Sequence, residues 1–261
     1  MAEFHENATG RLTCLVDGEM SFPRKVFADL ADAALNVLLS AAGETEIRTE
    51  FNTFLLEMPG QPLTLIDAGC GALFGDKGGA LAGQLAERGI APGSVERIIF
   101  THLHRDHVGG ALDGDAAVFP NAEIIMLDVE KDFWNGKADQ PGGMVINAYA
   151  DRIRTVSDGE DIVPGVTAWH LPGHTPGHMG LRIGDDLVVV ADILHAELLQ
   201  LPNPGLSSIY DVGGAQGAAT RRAAMAEIAD RNLVYTGGHQ IAPRKFGRLR
   251  RAGAGFEKIE P

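Results

Sequence analysis

The segment Thr101-His-Leu-His-Arg-Asp-His-Val-Gly-Gly110 sets three imidazoles and a carboxylate within six consecutive positions, His102 to His107. Imidazole is the commonest side-chain ligand for transition metals, and carboxylates complete sites that hold more than one divalent ion. Burying such groups unpaired is costly, so packing alone does not account for this density. In an extended segment leaving a strand, His102 and His104 project to the same side and can grip one ion together. Asp106 and His107 are neighbours that point in different directions, which suits a second ion beside the first. Four ligands are too few for two ions, so other loops must supply more.

The chain supplies them at three further points. His174 lies in Leu171-Pro-Gly-His-Thr-Pro-Gly-His178, where proline and glycine fix a tight loop. Asp192 follows the apolar run Leu187 to Ala191, and His239 follows Val234-Tyr-Thr-Gly-Gly238. A lone His or Asp in a loop is ordinarily a surface or capping residue, and Asp192 by itself would carry no more weight than that. The repeated placement just past an apolar strand is what counts, because one rim of the fold would then collect every candidate. The expected sharing is His102, His104 and His174 on one ion, Asp106, His107 and His239 on the other, and Asp192 between them. That leaves room for a water, as catalytic rather than structural sites require. Asp67, past Leu65-Ile66, is a candidate to orient a ligand histidine by accepting its ring N–H, with a plain turn aspartate as the alternative. His178 is a candidate for a similar supporting role, His195 for the pocket wall, and His170 for a structural one.

The elements that must position these groups read as strands first and helices later in each half of the chain. Strands are expected at Arg11 to Val16, closed by Asp17-Gly18, and then at Ile47 to Glu57, Leu63 to Ile66, Val95 to Phe100 and Glu123 to Leu127. Helical patterns cover Phe27 to Ala42, Ala80 to Arg88, Asp128 to Trp134 and Met144 to Ile153, with Lys137 to Gly143 a polar loop. Later strands are expected at Val166 to Leu171, His178 to Ile183, Leu187 to Ala191 and Leu233 to Thr236, with a helix over Gln216 to Asp230. Two sheets face to face with helices outside, an αββα sandwich of the α/β (α+β) class, fit that order better than a regularly alternating doubly wound sheet. Residues 1–10 read as a flexible polar start and residues 11–261 as one domain.

Composition sets the outer limits. Hydrophobic residues make up 45% of the 261, enough to bury a sizeable core. The formal charge of −13 repels polyanions at long range, which argues against nucleic acid and favours a neutral, partly apolar small molecule as partner. The only cysteines, Cys14 and Cys70, form no CxxC pair and read as ordinary thiols. The start carries Glu3, His5 and Glu6 rather than basic and apolar regions, and no apolar run reaches spanning length, so the expectation is a cytoplasmic protein without a membrane segment.

The pattern His102-x-His104-x-Asp106-His107, followed in order by His174, Asp192 and His239, resembles the metallo-β-lactamase-fold hydrolases. The context that carries the resemblance extends from about Phe51 to His239. Within that superfamily the stretches Asp67 to Gly75, Phe119 to Ala122, Asp132 to Trp134, Gly173 to His178 and Ala191 to His195 are similar to the methyl parathion hydrolase and quorum-quenching lactonase branch. The resemblance implies an αββα fold, two divalent ions and attack by a hydroxide between them. Zinc is the first expectation, with Co2+, Mn2+ or Fe2+ also suited to such ligands. Asp192, where many zinc β-lactamases carry Cys, argues against antibiotic hydrolysis. Phe74 and Trp134 fall where that branch places aromatic pocket walls, core packing being the alternative for each. By resemblance alone, a homodimer is expected. The function that follows is cleavage of a lactone, carboxylic ester or phosphotriester, with Asp106 able to help move the proton. Two competing classes are a thioesterase and a non-haem iron oxidoreductase of the persulfide dioxygenase type, which uses one iron.

Overall fold

The computed structural model describes residues 2–261. Strands β1 (Phe4–Glu6) and β2 (Arg11–Phe22) open the chain, followed by helix α1 (Asp32–Ala41), β3 (Ile47–Glu57), β4 (Thr64–Ile66), helix α2 (Leu81–Glu87) and β5 (Arg97–Ile99). The short helix α3 (Arg105–Val108) and a small hairpin, β6 (Leu112–Asp113) with β7 (Ala116–Ala117), lead to β8 (Glu123–Leu127), helices α4 (Asp128–Trp134) and α5 (Pro141–Ala148), and β9 (Ile153–Val156). The second half holds β10 (Asp161–Val163), β11 (Val166–His170), β12 (Met179–Ile183), β13 (Leu187–Val189), helices α6 (Glu197–Gln200) and α7 (Gly214–Asp230), and β14 (Val234–Thr236). It closes with a hairpin of β15 (Arg248–Ala252) and β16 (Gly255–Ile259).

Alternation along the strands decides the layers. In the seven-stranded sheet, ordered β1-β2-β3-β4-β5-β8-β9, Leu12, Phe54, Ile66, Ile99 and Ile125 face inward. They meet Ala168, Leu181, Val189 and Val234 of the five-stranded sheet, ordered β10-β11-β12-β13-β14. The alternate residues Leu55, Leu65, Ile98 and Ile124 point outward and are covered by Leu81 and Leu85 of α2 and by Val145 and Ile146 of α5. Val188 and Tyr235, on the outer face of the second sheet, pack on Ala224, Met225 and Ile228 of α7. The result is an αββα sandwich with one core between the sheets and one beneath each helical layer. Each buried large apolar side chain contributes about 1.5–3 kcal/mol relative to exposure.

Strand direction brings the loops to one rim. Strands β4, β5 and β8 run parallel, so the loops after β4 and β5 leave the first sheet at the same end. In the second sheet β12 is antiparallel to both β11 and β13, and β13 is parallel to β14, so β11, β13 and β14 also end together. Central strands buried on both faces explain the apolar runs Leu65–Ile66 of β4, Ile124–Leu127 of β8 and Leu187–Val189 of β13.

Several sequence expectations need correction. The first strand does not close at Asp17-Gly18 but continues to Phe22, because Asp17 is absorbed as a bulge between the Val16–Asn52 and Gly18–Phe51 pairs. The buried Asp17 carboxylate is satisfied there by the backbone N–H groups of Cys70, Gly71, Gly79 and Leu81, so it anchors the glycine-rich loop instead of making a turn. Within the start expected to be flexible, residues 4–6 are a strand paired with β2, held further by the His5 and Asn7 side chains on Asp186; Met1 lies outside the described residues. The expected helix from Met144 to Ile153 begins earlier, with Pro141 in its first turn, and ends at Ala148, with Ile153 already the first residue of β9. Cys14 and Cys70 are both buried and free, and burial pushes the Cys14 thiol up to about 12.

Candidate metal centre

His102 and His104 leave the end of β5, His174 lies in the loop after β11, and their ring nitrogens converge. His102 Nε2 is 3.1 Å from both His104 Nδ1 and His174 Nε2, and the last two are 2.8 Å apart. A second set gathers Asp106 and His107 of α3 with Asp192 past β13 and His239 past β14. Asp192 spans the two. Its Oδ1 lies 3.3 Å from His107 Nε2, while Oδ2 lies 2.9 Å from His239 Nε2 and 3.5 Å from His174 Nε2. All seven ligand candidates expected from the sequence are therefore brought together, although Asp106 and His104 are only partly buried.

Outward hydrogen bonds decide which ring nitrogens remain to face the centre. His107 Nδ1–H donates to Asp67 Oδ2 at 2.8 Å, His174 Nδ1–H to Asp211 Oδ1 at 3.0 Å, and His239 Nδ1–H to the Glu50 carbonyl at 3.1 Å. His102 Nδ1 meets Thr101 Oγ1 at 3.2 Å, and that hydroxyl donates in turn to Asp67. In each case the Nε2 lone pair is left pointing inward. Several lone pairs and carboxylate oxygens aimed at common points among mostly buried side chains repel one another unless a cation sits among them. His107 Nε2 and Asp192 Oδ1 are buried with no hydrogen-bond partner. The donor set thus fits two divalent ions: the three-imidazole set for one, the mixed set for the other.

Electrostatics set His102 and His104 apart from His107 and Asp192. Burial, reinforced by neighbouring imidazoles, pushes His102 and His104 well below the usual histidine range. Burial acts on His107 in the same direction, but Asp192, Asp67 and Asp106 outweigh it and raise it well above that range. Asp192 is likewise held well below the usual carboxylate range, because His107 and His239 overcome the effect of its burial.

The backbone is bent to deliver these groups. Asp67 (φ 59°) and Ala191 (φ 45°), immediately before Asp192, are non-glycine residues in the left-handed region, a conformation that costs on the order of 1–3 kcal/mol. Before His239 only glycine fits: a Cβ on Gly238 would stand 2.4 Å from Asp192 Oδ1.

The supporting candidates fall in different places. Asp67 accepts from Thr101 and from the His107 ring. His178 lies outside both sets, donating from Nδ1 to the Leu171 carbonyl and accepting the Asp192 backbone N–H on Nε2. His170 donates to the Pro176 carbonyl away from the centre. Phe74, Trp134 and His195 line a cavity of about 660 Å³ over the cluster, together with Phe22, Phe51 and Tyr210. His195 also approaches His174 and Asp192 as a third set, and neither of its ring nitrogens has a partner.

Sequence reasoning passed over Asp211, Glu130 and Arg221. Asp211 orients His174 and is itself held by the buried guanidinium of Arg221. Ser207-Ser-Ile-Tyr-Asp-Val-Gly-Gly214 reads as an ordinary polar turn, so its one signal was an aspartate at a loop with no apolar strand before it.

Fold and site together define a layered α/β protein whose rim carries His/Asp clusters compatible with a metal site. A sequence profile described as the metallo-beta-lactamase superfamily matches residues 51–239, and the chain belongs to that superfamily. Among curated proteins it is 34% identical over 137 residues to the human metallo-beta-lactamase domain-containing protein 1, covering 51% of this chain and 43% of that one. It is 33% identical over 95 residues to an N-acyl homoserine lactonase of Bacillus sp, covering 36% and 35%. The matches thus span less than half the length of these relatives. Among solved structures, hydrolase AbOPH of the beta-lactamase superfamily superposes with a TM-score of 0.90 at 26% identity, covering 100% of this chain and 97% of that one. AidC, a dizinc quorum-quenching lactonase in complex with a product, gives 0.89 at 24% identity, covering 100% and 98%, and shares the fold. No helix among the described residues is long and apolar enough to cross a membrane.

Proposed function

We propose that this chain is a dinuclear metal-dependent hydrolase that opens a lactone or carboxylic ester, with phosphotriesters within reach of the same site. The observation that carries this reading is Asp192, whose Oδ1 faces His107 while its Oδ2 lies between His239 of that same set and His174 of the other, at the floor of a largely apolar cavity. His102, His104 and His174 would hold one ion, Asp106, His107 and His239 the other, and Asp192 both, with zinc the preferred metal. Bound there, such ions act as Lewis acids and bring the pKa of water down toward neutrality.

The protein's own residues do the rest. Phe22, Phe51, Phe74 and Trp134 exclude water and favour an apolar acyl or leaving group. Asp106, which lines the cavity and is 16% exposed at its side chain, is placed to take up or pass on a proton between the floor and the leaving oxygen. Asp67 and Asp211 hold the imidazoles in the tautomer that presents Nε2 inward. The net charge of −13 disfavours polyanionic substrates. Similarity to N-acyl homoserine lactonases supports a lactone, and a hydrolase neighbour at 26% identity supports a hydrolytic reaction in general.

The test is a screen of metal-stripped and zinc-reloaded protein against acyl-homoserine lactones, aryl esters, phosphotriesters and thioesters. Lactone or ester turnover that needs close to two equivalents of zinc is expected. Dioxygen consumption with one equivalent of iron, or turnover of thioesters alone, would overturn the reading.

A further inference from the structure

Glu130, in the first turns of α4, is completely buried, yet nothing in the ligand sets requires it. Its Oε1 accepts the backbone N–H of Leu103 at 2.9 Å and the indole Nε1–H of Trp134 at 2.7 Å. Its Oε2 accepts the Thr175 hydroxyl at 2.6 Å and the Gly177 N–H at 3.2 Å. Leu103 sits between His102 and His104, Thr175 adjoins His174, and the Trp134 ring stands edge-on to His104 at 5.7 Å between centroids. One carboxylate therefore ties together both loops that carry the three-imidazole set and an aromatic wall of the cavity. The close approach is built into the chain: a Cβ at Gly177 would stand 2.2 Å from the Glu130 backbone nitrogen.

We propose that Glu130 is a positioning residue that clamps the His102–His104 loop to the His174 loop and so couples occupancy of the three-imidazole metal set to the placement of Trp134. It touches no ion and no substrate. Four donors need four acceptor positions, which a carboxylate offers and an amide does not. Glu130→Gln must turn an NH2 toward one pair of donors, freeing one loop or the other. Loss of such outer support typically weakens metal binding by about 10–100-fold. The inference rests on the metal-binding part of the proposed function, but not on which bond is cleaved.

Trp134 supplies a readout separate from activity, because Trp169 is the only other tryptophan. In a Trp169→Phe background, zinc titrated into metal-free protein is expected to change Trp134 emission in step with filling of the three-imidazole set. In Glu130→Gln the same change should need roughly 10–100-fold more zinc. Chelator dialysis followed by metal analysis should then remove one equivalent while the other stays. Glu130→Asp keeps the charge but shortens the reach, and Gly177→Ala displaces Glu130 without altering it; both should weaken the same equivalent if Glu130→Gln does not fold. Parental zinc affinity and parental emission in the folded variants would overturn the clamp, even with a lowered melting temperature. A parent that binds no zinc would overturn both this inference and the proposed function, whereas two tight equivalents in parent and variant alike would overturn the clamp alone.

Discussion

Asp192 is 2% exposed, and its oxygens look toward His107 on one side and toward His239 and His174 on the other. A side chain with that double allegiance is ill served by a single cation, and its removal affects both ligand sets. Asp192→Ala is expected to abolish hydrolysis and to lose at least one equivalent of metal on gel filtration without added zinc. Unchanged turnover at saturating zinc would mean that the residue does not join the sets. Trp134 makes a different case, being held by Glu130 and His104 on one side while lining the cavity on the other. Trp134→Ala should shift preference among substrates of different acyl size far more than it changes turnover of the smallest. Identical kcat/KM ratios for small and bulky esters in parent and variant would remove it from the pocket.

The elements differ in how much of their work was readable from the chain. Strands β3 and β8 and helix α4 occupy the residues expected for them, because the alternation of β3, the apolar run of β8 and the acidic first turn of α4 are local properties. The ligand clusters were legible for the same reason: each candidate follows an apolar strand that identifies itself. What stayed hidden depends on partners distant in sequence. Asp17 reads as a turn residue until the loop from Cys70 to Leu81 is seen folded onto it, and Glu130 reads as an exposed helical acid until Leu103 and Thr175 arrive. In the final hairpin β15 carries three arginines in five residues and β16 an adjacent Glu257 and Lys258, so their alternation is weak. Arg221 of α7 belongs with these hidden groups. It is wholly buried, donates to the carbonyls of Ile193 and Leu206, and pairs with Asp211 at 3.3 Å, thereby pinning the segment after Asp192 to the one that orients His174. Arg221→Met removes the one guanidinium from the buried Asp211 carboxylate and leaves it only His174 and the Ser208 N–H, so a loss toward the lower end of about 3–5 kcal/mol in unfolding free energy is expected from denaturant titration. A change within about 0.5 kcal/mol, the range usual for surface substitutions, would show that Asp211 does not depend on it.

Across the whole molecule, two sheets end their strands at one rim and set there a cluster of imidazoles and carboxylates in which His107 Nε2 and Asp192 Oδ1 are buried without a hydrogen-bond partner. The apolar cores beneath supply the stability that lets Asp67 and Ala191 keep left-handed backbones beside that cluster. Everything assigned to the chain as an enzyme depends on cations completing the arrangement. The most direct measurement is diffraction from zinc-soaked crystals, with anomalous maps recorded on either side of the zinc absorption edge. Two zinc peaks are expected, one among His102, His104 and His174 and one among Asp106, His107 and His239, each also within bonding distance of Asp192. No peak at either position in fully soaked crystals, or a single peak with the second set still hydrogen-bonded to itself, would contradict the account.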